Sequence, residues 1–96
     1  MIHIRYSPQA ALPGQSLAYT WTGRILTARL EPQGLEEVFD LSTLQPGDEV
    51  TGVEPETLPF SPLISARVDE DGDLHVALLR WYEGEEPTEL EEVLDG

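Results

Sequence analysis

The sequence predicts an all-β domain: a compact antiparallel meander or small sandwich of about six strands, with a short C-terminal helix. Three observations carry that expectation. Apolar and polar residues alternate over short runs, the period of a strand rather than a helix. Turns containing glycine or proline separate those runs. The third observation is the stretch 62–82, PLISARV, DEDGD, LHVALLRWY, in which two apolar arms flank an acidic turn with Asp71 and Gly72. An Asp-Gly pair readily supplies the positive φ that a tight hairpin turn needs. The second arm has few polar residues on either face, which predicts a strand inside its sheet rather than at an edge.

Taken in order, residues 2–6 alternate and place Ile2, Ile4 and Tyr6 on one face of a first strand. Residues 7–15, with Pro8, Pro13 and Gly14, read as a loop, and Ser7 with Pro8 can open a single helical turn. Residues 17–21 bring Leu17, Tyr19 and Trp21 together, Thr22 and Gly23 make a turn, and 24–30 return with Leu26, Ala28 and Leu30 on one side. Pro32, Gln33 and Gly34 end this hairpin. The stretch 35–41 fits two periods: Leu35, Val38 and Phe39 suit a helix, whereas a strand over 36–41 turns Phe39 and Leu41 inward. The strand is preferred, because the segment is short and has no cap at its start. Pro46, Gly47 and Asp48 form a turn, 50–53 a short strand, and 54–62 an extended surface connection. Pro55, Pro59 and Pro62 exclude that connection from a ladder, since proline has no N–H to donate.

The chain then divides into a β domain over 1–82 and an acidic segment over 83–96 with seven acidic residues and no basic ones. Thr88 to Glu91 has the form of a capping box, with Thr88 as cap and Glu91 reaching back. Leu90, Val93 and Leu94 follow at helical spacing. So short a helix does not persist alone. It needs a surface to dock on, either its own sheet or a second chain.

Composition narrows the function. Ninety-six residues make one domain, and 40% hydrophobic content is enough for a core. There is no cysteine, so neither a disulfide framework nor a thiolate site is available. The start, MIHIRYSPQ, lacks a basic segment followed by an apolar core, and no apolar run reaches membrane-spanning length, which together predict a cytoplasmic protein. Nineteen acidic residues face five arginines, for a net charge of −14. That charge repels phosphate backbones and argues against direct nucleic-acid binding. It fits a soluble, self-repelling surface, or else a decoy that imitates DNA and blocks a nucleic-acid-binding protein.

The chemistry-bearing motifs are sparse. Asp69, Asp71 and Asp73 occupy the first, third and fifth places of a calcium loop, but the sixth is Leu74 and the twelfth Arg80. Gly72 therefore belongs to a hairpin, and no metal is expected. His3 and His75 read as ordinary strand histidines. Ser61 and Ser65 lack the G-x-S-x-G turn of a nucleophile elbow, and there is no glycine-rich phosphate loop. The expectation is a protein without catalytic activity or cofactor. Trp21 reads as core. The candidate partner-contact residues are Trp81 and Tyr82 at the end of an aromatic strand, with Leu90, Val93 and Leu94 of the acidic segment; sheet-edge pairing is the other candidate mode.

Thr20-Trp21-Thr22-Gly23 before a strand, Phe39-Asp40-Leu41-Ser42, Thr57-Leu58-Pro59-Phe60, and the hairpin from Ile64-Ser65-Ala66-Arg67 to Trp81 resemble a group of small phage and prophage proteins. These are uncharacterised products encoded among tail genes. The likeness spans residues 17–82 and excludes the 7–15 loop and the acidic ending. It implies a phage or prophage origin and a minor tail component or tail-assembly factor acting by protein contact. That role places the chain in the host cytoplasm or with the virion, with a tail or assembly protein as partner and a homo-oligomer as a further option. It brings no active residues with it.

Overall fold

The computed structural model describes residues 1–11, 13–51 and 54–95, and these form an all-β fold of eight strands with no helix among them. The strands are β1 (Ile2–Ala10), β2 (Ser16–Thr22), β3 (Ile25–Glu31), β4 (Leu35–Asp40), β5 (Glu49–Thr51), β6 (Leu63–Val68), β7 (Leu74–Tyr82) and β8 (Glu91–Leu94). They make a large sheet in the order β5-β6-β7-β1-β8 and a small sheet in the order β2-β3-β4. One apolar cluster joins the inner faces of the two sheets, so the sandwich and not the meander is the architecture.

β7 lies in the middle of the large sheet, the interior position its composition predicts. Leu74, Val76 and Leu78 are buried in the core, and Ala66, Val68, Ile2 and Ile4 sit beside them on β6 and β1. The tip of the β6–β7 hairpin is a tight loop in which Gly72 N–H donates to Asp69 O (3.1 Å) and Gly72 takes φ +84°. Positive φ is costly for a side-chain-bearing residue, which is why glycine stands there. A bulge between Leu63 and Ser65 pushes Ile64 to the surface.

Three expectations are corrected. The large sheet is mixed: β1 pairs with β7 in parallel, Ile2 opposite Leu74 through Ala10 opposite Tyr82. A parallel pair needs a long crossover, and the small sheet with β5 and β6 provides it. The second correction concerns residues 7–10, expected as loop, which continue β1. Pro8 is tolerated because of its side of the ladder. Tyr6 N–H donates to Leu90 O, whereas Met1 O accepts from Leu74 N and Ala11 N–H donates to Tyr82 O. Even-numbered positions thus face the β8 side, where pairing ends at Arg5, and the missing N–H of Pro8 costs no ladder bond.

The third correction is the C-terminal helix. Residues Glu91–Leu94 form β8, antiparallel to Ile2–Arg5. A strand there pairs the free edge of β1 from Ile2 to Arg5, which a single helical turn could not do. Leu94 still reaches the core, opposite Ile2. Glu91, read as a helix-capping residue, lies opposite Arg5.

The small sheet follows its sequence closely. Thr22 and Ile25 pair across a two-residue turn in which Gly23 has φ +59° and no non-glycine residue has positive φ. This is the type II′ arrangement, with glycine at the first central place. Leu26, Ala28, Leu30 and Phe39 are buried, while Leu17, Tyr19 and Trp21 pack half-buried against the core. β4 is the strand preferred over a helix, and Leu41 just beyond it is buried with Phe39. The expected strand over 50–53 is present in its first half as β5, with Gly52 and Val53 outside the described residues.

The proline-rich connection 54–62, expected as an extended surface segment, instead bends repeatedly over 56–60 and buries Leu58 and Pro62. The anchor is Glu37, the buried charged side chain of β4, whose Oε1 accepts N–H bonds from Thr57 (2.7 Å) and Leu58 (3.3 Å). Removing that acceptor leaves two backbone donors near the core without a partner. Glu37→Ala should therefore cost about 1–3 kcal/mol, read as a lower urea midpoint with an unchanged slope. An unshifted midpoint would show that the connection is held by Leu58 burial alone.

Candidate functional site

The outer face of the large sheet, opposite the core, is where the chemistry collects. The β1–β7 register sets His3 beside His75, and β6 and β5 extend the row through Arg67 to Glu49. The adjacent row runs from Glu91 through Arg5 and Ala77 to Ser65 and Thr51. Side chains on these rows share a face because strand residues alternate. Ala77 and Ser65 are small and flanked by long neighbours, which leaves an open depression of about 590 Å³.

The two imidazoles stack with centroids 4.7 Å apart and planes at 10°. Above them the hairpin tip supplies carboxylates. His75 Nε2 lies 2.7 Å from Asp69 Oδ2, and Asp69 Oδ1 accepts from the N–H groups of Asp71 (2.9 Å) and Asp73 (3.0 Å). Asp73 accepts from the Met1 ammonium at 2.9 Å, with His3 Nε2 at 3.8 Å from its other oxygen. The His75 hydrogen bond, followed by those backbone donors, holds the Asp69 carboxyl below the usual aspartate range. The Met1 ammonium does the same for Asp73. Within the acidic run that imitates a calcium loop, Asp69 thus spends its oxygens on the hairpin's own donors and Asp73 on the start of β1.

Arg5 and Arg67 differ from the other arginines. Arg24 donates to Gly72 O, Arg29 bonds Glu31 and Glu36, and Arg80 donates to Glu89 O while lying 5.3 Å over the Tyr6 ring. Arg5 and Arg67 lie opposite Glu91 and Glu49 in register, yet among the described residues neither closes an ion pair or hydrogen bond. Two free guanidiniums in a chain of −14 mark this face as the one unlike the rest of the surface. The Asp69–His75 pair has the form of an oriented imidazole base, but Ser65, the nearby hydroxyl, makes no hydrogen bond to it.

The residues expected to meet a partner do not form one patch. Trp81 is half-buried at the end of β7, stacked on Phe60 at 5.0 Å, with its Nε1–H donating to Gln9 Oε1 (2.9 Å). Tyr82 closes the parallel ladder opposite Ala10. Leu90 supplies the carbonyl that Tyr6 bonds, and Leu94 packs against the core. Val93 alone of the five joins the face described above, 51% exposed beside His3. Nearby, Tyr6 donates to Glu92 Oε1 (2.8 Å), and burial together with that carboxylate pushes its hydroxyl up to about 12. Nothing in the sequence singles out Arg5 and Arg67, and His3 and His75 read there as ordinary strand histidines, because only the parallel register sets 3 beside 75 and 5 beside 77.

Comparison with known proteins finds no matching family model, no matching curated sequence and no matching solved structure.

The acid side of the stability profile follows from Asp69. Its folded-state value lies below the unfolded one, so its contribution is complete above about pH 3.9 and disappears as pH falls through the depressed value. Asp69→Asn should lower the melting temperature at neutral pH, and the gap to wild type should close below about pH 3.9. A gap of constant size down to strongly acidic pH would mean that the carboxylate charge is not what the hairpin uses.

Proposed function

We propose that this chain is a non-enzymatic protein-binding domain that receives a carboxylate-bearing segment of a protein partner on the outer face of its large sheet. The observation that carries this reading is the pair of guanidiniums, Arg5 and Arg67, which among the described residues close no ion pair or hydrogen bond although Glu91 and Glu49 lie opposite them in register. Guanidinium groups bind carboxylates through two parallel hydrogen bonds and are enriched where proteins recognise one another. Val93 and the His3–His75 stack supply apolar and aromatic surface between the charges. The resemblance to phage and prophage tail-gene products supplies the biological setting. In that setting the chain is a minor tail component or a tail-assembly factor, acting in the host cytoplasm or on the virion.

The decoy reading needs acids displayed together. Here they are divided between the hairpin tip (Asp69, Asp71, Asp73), the outer side of the small sheet (Glu31, Glu36, Asp40) and β8 with the segment before it. That distribution favours a partner held at the face of mixed charge that carries Arg5 and Arg67 over one held along a single acidic face.

The test is capture from lysate of phage-bearing cells at low and moderate salt, read by mass spectrometry, with wild type beside R5E/R67E. Wild type should retain tail or assembly proteins at the higher salt, and R5E/R67E should lose them by about tenfold or more. Equal capture by both would remove this face from the proposal. Recovery of nucleases, polymerases or repressors that wash off with salt would move the assignment to the decoy.

A further inference from the structure

The large sheet is edged by β5 and β8, the small sheet by β2 and β4. An unpaired edge invites strand addition, and charge is the usual deterrent. Glu49 guards β5, Glu91 and Glu92 guard β8, and Glu36, Glu37 and Asp40 guard β4. β2, SLAYTWT, carries no charged residue and no proline. In a chain where a quarter of residues are charged, this is the one edge strand left open.

Its backbone is available as well. Leu41 N–H donates to Arg24 O, so even-numbered residues of β3 turn their backbone groups toward β4 and odd-numbered ones toward β2. Across the register Thr22–Ile25, Thr20–Thr27 and Ala18–Arg29, the even-numbered residues of β2 are then the bonded ones. The N–H and C=O groups of Leu17, Tyr19 and Trp21 face outward, and among the described residues nothing bonds to them. The side chains of the same three residues pack half-buried against the core, with the Tyr19 hydroxyl donating to Leu79 O of β7.

We infer that β2 pairs with β2 of a second copy, antiparallel across a two-fold axis at Tyr19, joining two small sheets into one continuous six-stranded sheet. A second copy is the occupant the edge fits. Two chains of −14 repel wherever their acids meet, and this strand is the edge at which no acid faces its own image. The pattern is also self-complementary. With Tyr19 on the axis, Leu17 lies opposite Trp21 of the second copy, setting an aliphatic residue against an aromatic rim, and Ala18 lies opposite Thr20. Ser16 then meets Thr22 of the second copy, whose turn reaches the groove of about 360 Å³ between the start of β2 and Trp81 and Tyr82. The interface lies on the sheet opposite the Arg5–Arg67 face and leaves that face open.

Sedimentation equilibrium over a concentration series, at low and at about 0.5 M salt, tests the pairing. The expected result is a monomer–dimer equilibrium strengthened by salt, with amide exchange at Leu17, Tyr19 and Trp21 slowing as concentration rises. T20E should weaken the dimer about tenfold or more while leaving the circular dichroism and melting temperature unchanged. Adding A18K to T20E sets opposite charges side by side across the axis and should restore pairing. A single-chain mass throughout the series overturns the proposal. So does a dimer that T20E does not weaken, or one in which the β2 amides exchange as fast as in the dilute protein.

Discussion

The parallel pairing of β1 with β7 is the contact on which the rest of the molecule depends. It brings the first strand against the strand that begins at Leu74, so a loop of most of the chain must close before a single bond of the ladder forms. What offsets that entropy is burial on one side of the pair: Ile2 and Ile4 from β1, and Leu74, Val76 and Leu78 from β7, all removed from water. Such non-local topology also folds more slowly than one built of neighbouring hairpins. The β2–β3–β4 meander and the β6–β7 hairpin are local units that can form first, with β1 as the last strand to lock between β7 and β8.

The same pairing creates the face that carries the histidine pair and Arg5. Alternation along a strand places His3 and Arg5 outward once Ile2 and Ile4 are inward, and the register then decides their neighbours. A slip of one residue would turn every one of these side chains to the other face. The site therefore inherits its rigidity from the core directly beneath it, without a loop of its own. The hairpin tip contributes Asp69 and Asp73, and their hydrogen bonds to His75 and the Met1 ammonium tie the start of β1 to the start of β7.

How much of this was legible depends on how local the cause was. Gly23 and Gly72 announced their turns, because positive φ is a property of the residue itself. The interior position of β7 was legible in its unbroken apolar run, and β4 in the inward spacing of Phe39 and Leu41. Residues 88–94 were misread because the capping-box pattern is local, whereas the open edge of β1 that recruits Glu91–Leu94 lies at the other end of the chain. Pro8 misled for the same reason. Proline ends a strand only when its N–H side faces a partner, and the sequence of 7–10 does not say which side is paired. Parallel register, which couples His3 to His75 and leaves Arg5 across from Ala77, has no signature in spacing at all.

Charge then sorts the surfaces that topology lays out. A chain of −14 gains solubility from mutual repulsion and loses some stability to its own crowded acids. Against that field, a guanidinium with neither an ion pair nor a hydrogen bond among the described residues stands apart, since Arg29 meets Glu31 and Glu36 while Arg24 and Arg80 donate to backbone carbonyls. An uncharged edge strand is an exception of another kind, because the other edges each carry an acid. Neither exception is needed for folding: the core is complete without Arg5 and Arg67, and β2 would pair with β3 as well if Thr20 were charged. Both lie where the general repulsion is locally suspended, on opposite sheets, and a surface where repulsion is suspended is one that another protein can approach.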